Sequence, residues 1–166
     1  MIAAGTTKAC VTYALILILC MMLFIPINKP KIEKGTVFLG LYDEVFLNTK
    51  NNYFDRVLCY SIFHYFPSYN YALEVILEMI RVTKPGGLIL LGDILDAHFE
   101  SEIKGNSDLE YEKTIPLIHR YSQWRFYNFK KLIDDLAAYT TKVEVLTQPE
   151  TFVLATYRKD IRIWVS

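Results

Sequence analysis

The chain has 166 residues, of which 52% are hydrophobic and 22% are charged, a globular composition that excludes a disordered chain. Its 18 Lys and Arg residues balance its 18 Asp and Glu residues, so the formal net charge is +0. This balance gives no indication of nucleic-acid binding. The three cysteines, Cys10, Cys20 and Cys59, show no metal-binding spacing and are expected to be buried, reduced thiols.

The first predicted element is an uncharged apolar segment at residues 9–27, ACVTYALILILCMMLFIPI. As a helix it would span roughly 28 Å, close to the hydrocarbon thickness of a bilayer. Lys8 precedes it and Lys29, Lys31 and Lys34 follow it, which would keep the rest of the chain cytoplasmic if the helix is an anchor. The alternatives are a buried strand or helix of the following domain, or a non-native start. We place residues 1–35 in this segment and its linker, and residues 36–166 in one domain.

Three strands are predicted in the first half of that domain. Thr36–Leu39 is a short strand, and Phe54–Tyr60 (FDRVLCY) is a longer one that ends in a polar and aromatic loop. Leu88–Leu91 is a continuous apolar run, as expected for a strand buried on both faces. A helix between the last two strands completes a βαβ unit, so we expect these strands to be parallel.

The helix of this unit is indicated by apolar residues at i, i+3, i+4 and i+7. Ser68 or Asn70 is expected to cap its start. A proline and two glycines, Pro85-Gly86-Gly87, are expected to end it. The predicted apolar stripe consists of Leu73, Ile76, Leu77 and Ile80.

The second half of the domain begins with a long aromatic segment, Asp93–Tyr127, that is too long for an ordinary connection between a strand and a helix. Its part from Tyr111 to Tyr127, which includes Tyr121 and Trp124, is interpreted as a lid over a substrate. A helix at 128–139 follows. The strands Lys142–Leu146 and Asp160–Val165 are predicted to pair in antiparallel fashion.

Two sequence blocks resemble class I S-adenosylmethionine-dependent methyltransferases. They are FDRVLCYSIFHYFP at residues 54–67 and EMIRVTKPGGLILLGDI at residues 78–94. In that family an Asp-containing strand ends in a loop beside the cofactor, and a helix ending in Lys-Pro-Gly-Gly leads to the next strand. The resemblance implies an α/β fold: a partial Rossmann-like methyltransferase sheet with parallel strands and a C-terminal antiparallel hairpin, preceded by the N-terminal apolar helix.

The resemblance also implies catalytic residues at the end of the strand Phe54–Tyr60. Ligands of open α/β sheets bind at the carboxyl ends of the strands. By analogy with the family, His64 or Tyr60 would orient or deprotonate an unidentified methyl acceptor. The sequence does not identify that acceptor.

Four residues are predicted to contact the cofactor, S-adenosylmethionine. Cys59 and Ser61 lie at the end of the strand. Gly40 and Asp43 lie in VFLGLYDE, the segment that would frame the adenine. No metal site is predicted, because the group Asp93, Asp96 and His98 is of a kind that is usually only solvated.

The sequence departs from the family in one important respect. It contains no GxG turn to hold the cofactor, and it resembles only the C-terminal half of the family's domain, with strands 4, 5, 7 and 6 of the order 3-2-1-4-5-7-6. We therefore expect weak or no cofactor affinity and weak or no activity for the chain alone. The unpaired edge of the strand Phe54–Tyr60 would be covered by residues 9–27 or by a partner chain, or else the chain would aggregate.

Three interpretations of function remain open at this point. The chain is a methyltransferase completed by a partner, a non-catalytic and membrane-anchored interaction module derived from that fold, or a truncated product without a role of its own. A short-chain dehydrogenase is a further alternative, since Tyr127 and Lys131 form YxxxK. The missing dinucleotide-binding turn argues against it.

Overall fold

The computed structural model describes residues 13–17, 36–38, 50–116, 119–152 and 154–166. Short 3₁₀ turns lie at Phe63–Tyr65, Ala97–Phe99 and Tyr121–Gln123. The helices are α1 (Tyr69–Val82), α2 (Glu100–Gly105), α3 (Leu109–Glu112) and α4 (Phe129–Leu136). The strands are β1 (Tyr13–Leu17), β2 (Thr36–Phe38), β3 (Phe54–Tyr60), β4 (Thr83–Leu95), β5 (Thr140–Thr147) and β6 (Arg158–Val165).

The described strands form one mixed sheet in the order β2-β1-β3-β4-β6-β5. β1, β2, β3 and β4 are parallel to one another, whereas β6 is antiparallel to β4 and β5. The α/β class, the parallel βαβ unit and the antiparallel pair predicted from the sequence are confirmed. The order of β3, β4, β6 and β5 matches the family's strands 4-5-7-6.

The N-terminal apolar segment corrects one prediction. Tyr13–Leu17 is a strand and not part of a helix, and it pairs in parallel with β3 along its length, from Tyr13 beside Arg56 to Leu17 beside Tyr60. The other residues of the segment lie outside the described ones. Among the helices that the structure describes, none combines the length and apolar character needed to cross a bilayer. The edge of β3 is thus covered by the chain's own residues.

Helix α1 begins where the sequence places a cap and buries a different stripe from the predicted one. The Ser68 hydroxyl accepts a hydrogen bond from the Tyr71 amide at 3.0 Å. Of the predicted stripe, only Ile76 is fully buried, and the other three residues are half-buried. The face that packs into the core is Ala72, Ile76, Met79 and Val82. The spacing of apolar residues correctly predicted a helix. Because apolar residues also lie on adjacent faces, the spacing did not determine which face packs into the core.

The main core lies between the sheet and the helices α1 and α4. From the C-terminal strand, Ile161, Ile163 and Val165 point into it, as the alternation predicted. Leu132 and Leu136 of α4 close it on the helix side. A smaller cluster of Leu95, Trp124 and Phe126 lies beside the carboxyl end of β4. The core thus fixes the strand ends on which the candidate site is built.

The two glycines that follow α1 have different structural requirements, which gives a testable prediction. A Cβ at Gly87 would lie 2.5 Å from Thr83 Cγ2 and 2.7 Å from the Lys84 carbonyl oxygen, whereas at Gly86, with φ of +72°, it would meet no atom within 4 Å. We expect Gly87→Ala to lower the free energy of unfolding by about 1–3 kcal/mol, because backbone atoms cannot yield to the added methyl group.

Urea unfolding followed by circular dichroism would measure this effect. Gly86→Asn is the matched control, since asparagine tolerates the left-handed conformation, and it should cost about 1 kcal/mol or less. If both variants lost the same free energy of unfolding, the close approach of neighbouring atoms would not explain why Gly87 is a glycine.

Candidate functional site

The carboxyl end of β3 lies beside the C-terminal part of β4, with Tyr60 opposite Gly92. Ser61 directly follows β3, whereas Asp93 lies within β4, where the register of β4 with β6 shifts; both residues adopt left-handed backbone conformations, with φ of 59° and 67°. The Ser61 amide donates a hydrogen bond to the Gly92 carbonyl at 3.1 Å. Positive φ at non-glycine residues is uncommon and concentrates at functional sites. The turn after β3 and the irregularity in β4 therefore lie at the same level of the sheet.

Tyr60 can lie across Gly92 only because that residue has no side chain. A Cβ on Gly92 would come within 2.0 Å of Tyr60 Cδ2. The Tyr60 ring is half-buried, and its pKa is raised by burial and by the carboxylates of Asp93 and Asp160, against the opposing effect of Arg158. The phenol therefore stays protonated at neutral pH and can donate a hydrogen bond.

A buried ion pair links β6 to Asp93, which also bonds to the turn after β3. Asp93 is only 3% exposed. Its Oδ1 and Oδ2 atoms accept hydrogen bonds from Arg158 Nη1 at 2.5 Å and 2.6 Å, and Oδ2 also accepts one from Ser61 Oγ at 2.7 Å. Charge-assisted bonds of this kind are the strong ones in proteins. Sequence reasoning missed Arg158, and the only available signal was a cation at the start of a strongly alternating strand.

The β5–β6 hairpin ties into the same network. Asp160 Oδ1 accepts hydrogen bonds from the Asp93 amide at 2.9 Å and from Gln148 Nε2 at 2.8 Å. Gln148 is itself buried, with 7% exposure. Three strands and one loop therefore converge on the Asp93 carboxylate and its backbone.

His64 lies next to this network and is almost completely buried, with 2% exposure. Its ring centroid is 3.9 Å from that of Tyr65 and 4.9 Å from that of Trp124. Burial lowers the His64 pKa from 6.5 to about 4; Arg158 acts in the same direction and Asp93 opposes it. The imidazole is therefore neutral and a weak base at pH 7. Its role as a catalytic residue stays a prediction, and exposure favours Tyr60 over it.

The four predicted cofactor contacts differ in burial, and two of them lie outside the described residues. Ser61 is half-buried, and its hydroxyl is donated to Asp93. Cys59 is fully buried at 0% exposure, and burial raises the pKa of its thiol far above the usual range, so its side chain packs in the core. Gly40 and Asp43 lie outside the described residues. These cofactor assignments stay predictions.

The group Asp93, Asp96 and His98 is not a solvated cluster. Asp93 is paired as described, while Asp96 Oδ1 accepts the His98 amide at 2.9 Å and caps a 3₁₀ turn. Within the described part of the chain, no group of three or more His, Cys, Asp or Glu residues could hold a metal ion. The expectation that these residues are solvated is wrong for Asp93.

Some residues of the predicted lid segment lie in the core and others lie at the surface. Tyr127 is 1% exposed and donates its hydroxyl to the Phe63 carbonyl at 2.6 Å, so it is a core residue, and its neighbour Lys131 pairs with Asp135. Tyr111, Tyr121 and Trp124 instead line a cleft of about 500 Å³. The segment thus contributes a wall to a concave surface.

Comparison with known proteins agrees with this architecture. Residues 32–91 match the family model described as "Methyltransferase domain". Chondramide synthase from Chondromyces crocatus is 35% identical over 67 residues, which are 40% of this chain and 2% of that protein. The chain therefore spans a very small part of the curated relative that it matches.

Two solved structures share the fold at low sequence identity. A Pyrococcus horikoshii protein superposes with a TM-score of 0.56 at 18% identity, covering 80% of this chain and 60% of its own. A SAM-dependent methyltransferase from Thermotoga maritima superposes with a TM-score of 0.51 at 22% identity, covering 80% of this chain and 65% of its own. The resemblance to methyltransferases is confirmed for the part of the chain that the family model matches, residues 32–91, and the two solved structures show that the fold is shared.

Proposed function

We propose that this domain transfers a methyl group from S-adenosylmethionine to an acceptor, with the carboxyl ends of β3 and β4 as one wall of the reaction site. The observation that carries the proposal is the pair of left-handed residues formed by Ser61, directly after β3, and Asp93, in the C-terminal part of β4. They lie at the edge of the sheet where open α/β sheets bind their ligands. The match of residues 32–91 to a methyltransferase model supports it.

The residues of this wall are chemically suited to contact one side of the cofactor. Tyr60 offers a half-buried side chain with a neutral hydroxyl donor, and Ser61 is half-buried next to it. When bound, the cofactor would supply an electrophilic methyl group for transfer to the acceptor. Tyr60 and Ser61 are the described residues that would contact it.

The chain's own contribution to such a reaction is alignment. Methyl transfer depends mainly on holding donor and acceptor in line. The Arg158–Asp93 ion pair fixes Ser61 in its strained conformation, and Gly92 lets the Tyr60 ring lie flat over β4. A neutral His64 packs behind this wall against Trp124. These residues form a rigid surface, and none of them needs to change protonation at pH 7.

Cofactor binding by the purified full chain tests the proposal. Since the sequence has no GxG turn, we expect weak but saturable binding of radiolabelled S-adenosylmethionine in equilibrium dialysis, with a Kd of about 0.1–1 mM. S-adenosylhomocysteine should compete. Tyr60→Ala should weaken binding several-fold, because it removes the described contact surface.

Tyr53→Ala is the matched control, since Tyr53 is an exposed tyrosine that precedes the opposite, amino end of the same strand. It should leave the Kd unchanged. Absence of saturable binding, or equal effects of the two variants, would contradict the proposal. A Kd below about 1 μM would instead show that the missing turn is replaced by other residues.

The alternative is a non-catalytic, membrane-anchored interaction module. No contact among the described residues favours it. The cytoplasmic location and a partner chain also stay predictions, because they depend on the chain outside the described residues or on molecules other than this one.

A further inference from the structure

Three aromatic residues of the Tyr111–Tyr127 segment face one cleft between α2, α3 and the 3₁₀ turn at Tyr121–Gln123. Tyr111 and Tyr121 are 61% and 43% exposed, although large aromatic side chains gain from burial. Trp124 forms the floor at 6% exposure, and its ring centroid lies 4.4 Å from that of Tyr121. The cleft has a volume of about 500 Å³, within the range of about 300–1,000 Å³ that is typical for small-molecule sites.

The charge lining this cleft is negative. Asp108 and Glu112 contribute carboxylates, His119 contributes an imidazole, and none of the described lining residues is Lys or Arg. Glu112 accepts hydrogen bonds from the Ser122 amide and hydroxyl, which lower its pKa and keep it ionised. The nearby Arg120 directs its guanidinium to the backbone carbonyls of Ile115 and Lys113 and not to either carboxylate.

Aromatic faces and carboxylates together favour one class of ligand. The negative face of a phenol ring, such as that of Tyr111 or Tyr121, attracts an organic cation, most strongly when the cation is desolvated. An aromatic ring on the ligand would in addition stack against the tyrosines. A phosphate or carboxylate ligand would be repelled by the two acidic residues, and no Lys or Arg is among the residues that line the cleft.

We propose that this cleft binds a small organic cation that carries an aromatic ring, such as an arylalkylammonium. Trp124 connects it to the reaction wall, because its indole also contacts His64 and lies 5.6 Å from the Arg158 guanidinium carbon. The assignment of this ligand as the methyl acceptor rests on the proposed function. Binding of the cation in the cleft does not.

Tryptophan fluorescence tests the binding directly. The chain has two tryptophans, so a full-length Trp164→Phe variant reports on Trp124 alone. Phenethylammonium should change its emission saturably. The neutral 2-phenylethanol and the anionic 3-phenylpropanoate should bind at least 5-fold more weakly. Tyr111→Ala and Tyr121→Ala should each weaken phenethylammonium binding about 2- to 5-fold, as expected for loss of a partly exposed cation–π contact.

Tyr139→Ala is the matched control, since Tyr139 is 47% exposed and does not line the cleft. It should leave the affinity unchanged. Equal affinities for the cation and the alcohol, no saturation, or insensitivity to both cleft tyrosines would overturn the proposal. Because this assay contains no S-adenosylmethionine, cation binding without cofactor binding in dialysis would refute the proposed function only. Cofactor binding without cation binding would refute only the proposal that the cleft binds an organic cation.

Discussion

Replacing Arg158 with alanine is expected to lower the free energy of unfolding by about 3–5 kcal/mol. The Asp93 side chain is 4% exposed and would lose its cationic partner. The Ser61 hydroxyl and the Asp93 backbone contacts cannot replace that charge compensation. Urea unfolding at neutral pH, followed by circular dichroism, measures the loss.

Two further variants make this expectation specific. Arg162→Ala removes an arginine from the same strand whose ion pair with Glu144 is solvent-exposed, with side-chain exposures of 42% and 30%, and should cost no more than about 1 kcal/mol. The double variant Asp93→Asn with Arg158→Met removes both charges and should be more stable than Arg158→Ala alone. A loss below about 1 kcal/mol for Arg158→Ala would mean that water reaches the pair.

Stability is expected to fall by about 3 kcal/mol as the pH drops from 6.5 to 4, through His64 alone. Burial lowers the His64 pKa from 6.5 to about 4 in the folded chain. Between these values the unfolded chain binds the proton and the folded chain does not, so acid favours unfolding. The contribution is fully present above pH 6.5 and is lost as the pH falls towards the folded pKa.

The slope of stability against pH distinguishes this effect from others. His64→Phe should flatten the slope between pH 6.5 and 4, whatever its effect on absolute stability. His98→Gln replaces an exposed histidine and should leave the slope as it is. If the His64→Phe variant kept the wild-type slope of stability against pH, the pH dependence would arise from other groups.

Short-range signals predicted the βαβ unit well. The strand β3 has the bounds that its apolar content indicated, Ser68 caps α1, and α1 ends at Val82, shortly before Pro85 and its two glycines. These three residues lie in β4, and the run Leu88–Leu91 that follows them alternates between half-buried and buried residues, so its burial on both faces is not confirmed. Each of the confirmed features depends on neighbouring residues only. Local sequence is therefore sufficient for them.

The N-terminal segment shows where such signals stop being sufficient. An apolar run without alternation fits a buried strand as well as a helix. Length and flanking lysines favoured a membrane helix, whereas Tyr13–Leu17 pairs with the open edge of β3. An open edge of β3 would leave backbone donors and acceptors without partners, and these residues pair with that edge as a strand.

The candidate site was predicted in position but not in composition. Topology places Tyr60 and Ser61 at the carboxyl end of β3, and the structure confirms that position. Ligand binding at this edge stays a prediction. The ion pair of Asp93 and Arg158 joins residues 65 positions apart, and no periodicity or spacing rule connects positions so distant. Burial of His64 was missed for the same reason, since Trp124 covers it from another part of the chain.

The bond between Asp93 and Arg158 also has a consequence for how the chain folds. β6 is the last described strand in chain order, yet its first residue fixes the turn that follows β3. Contacts between such distant positions form slowly, because a long loop must close first. The βαβ unit is thus expected to become ordered early, and the Ser61 turn should acquire its strained geometry only when β6 docks.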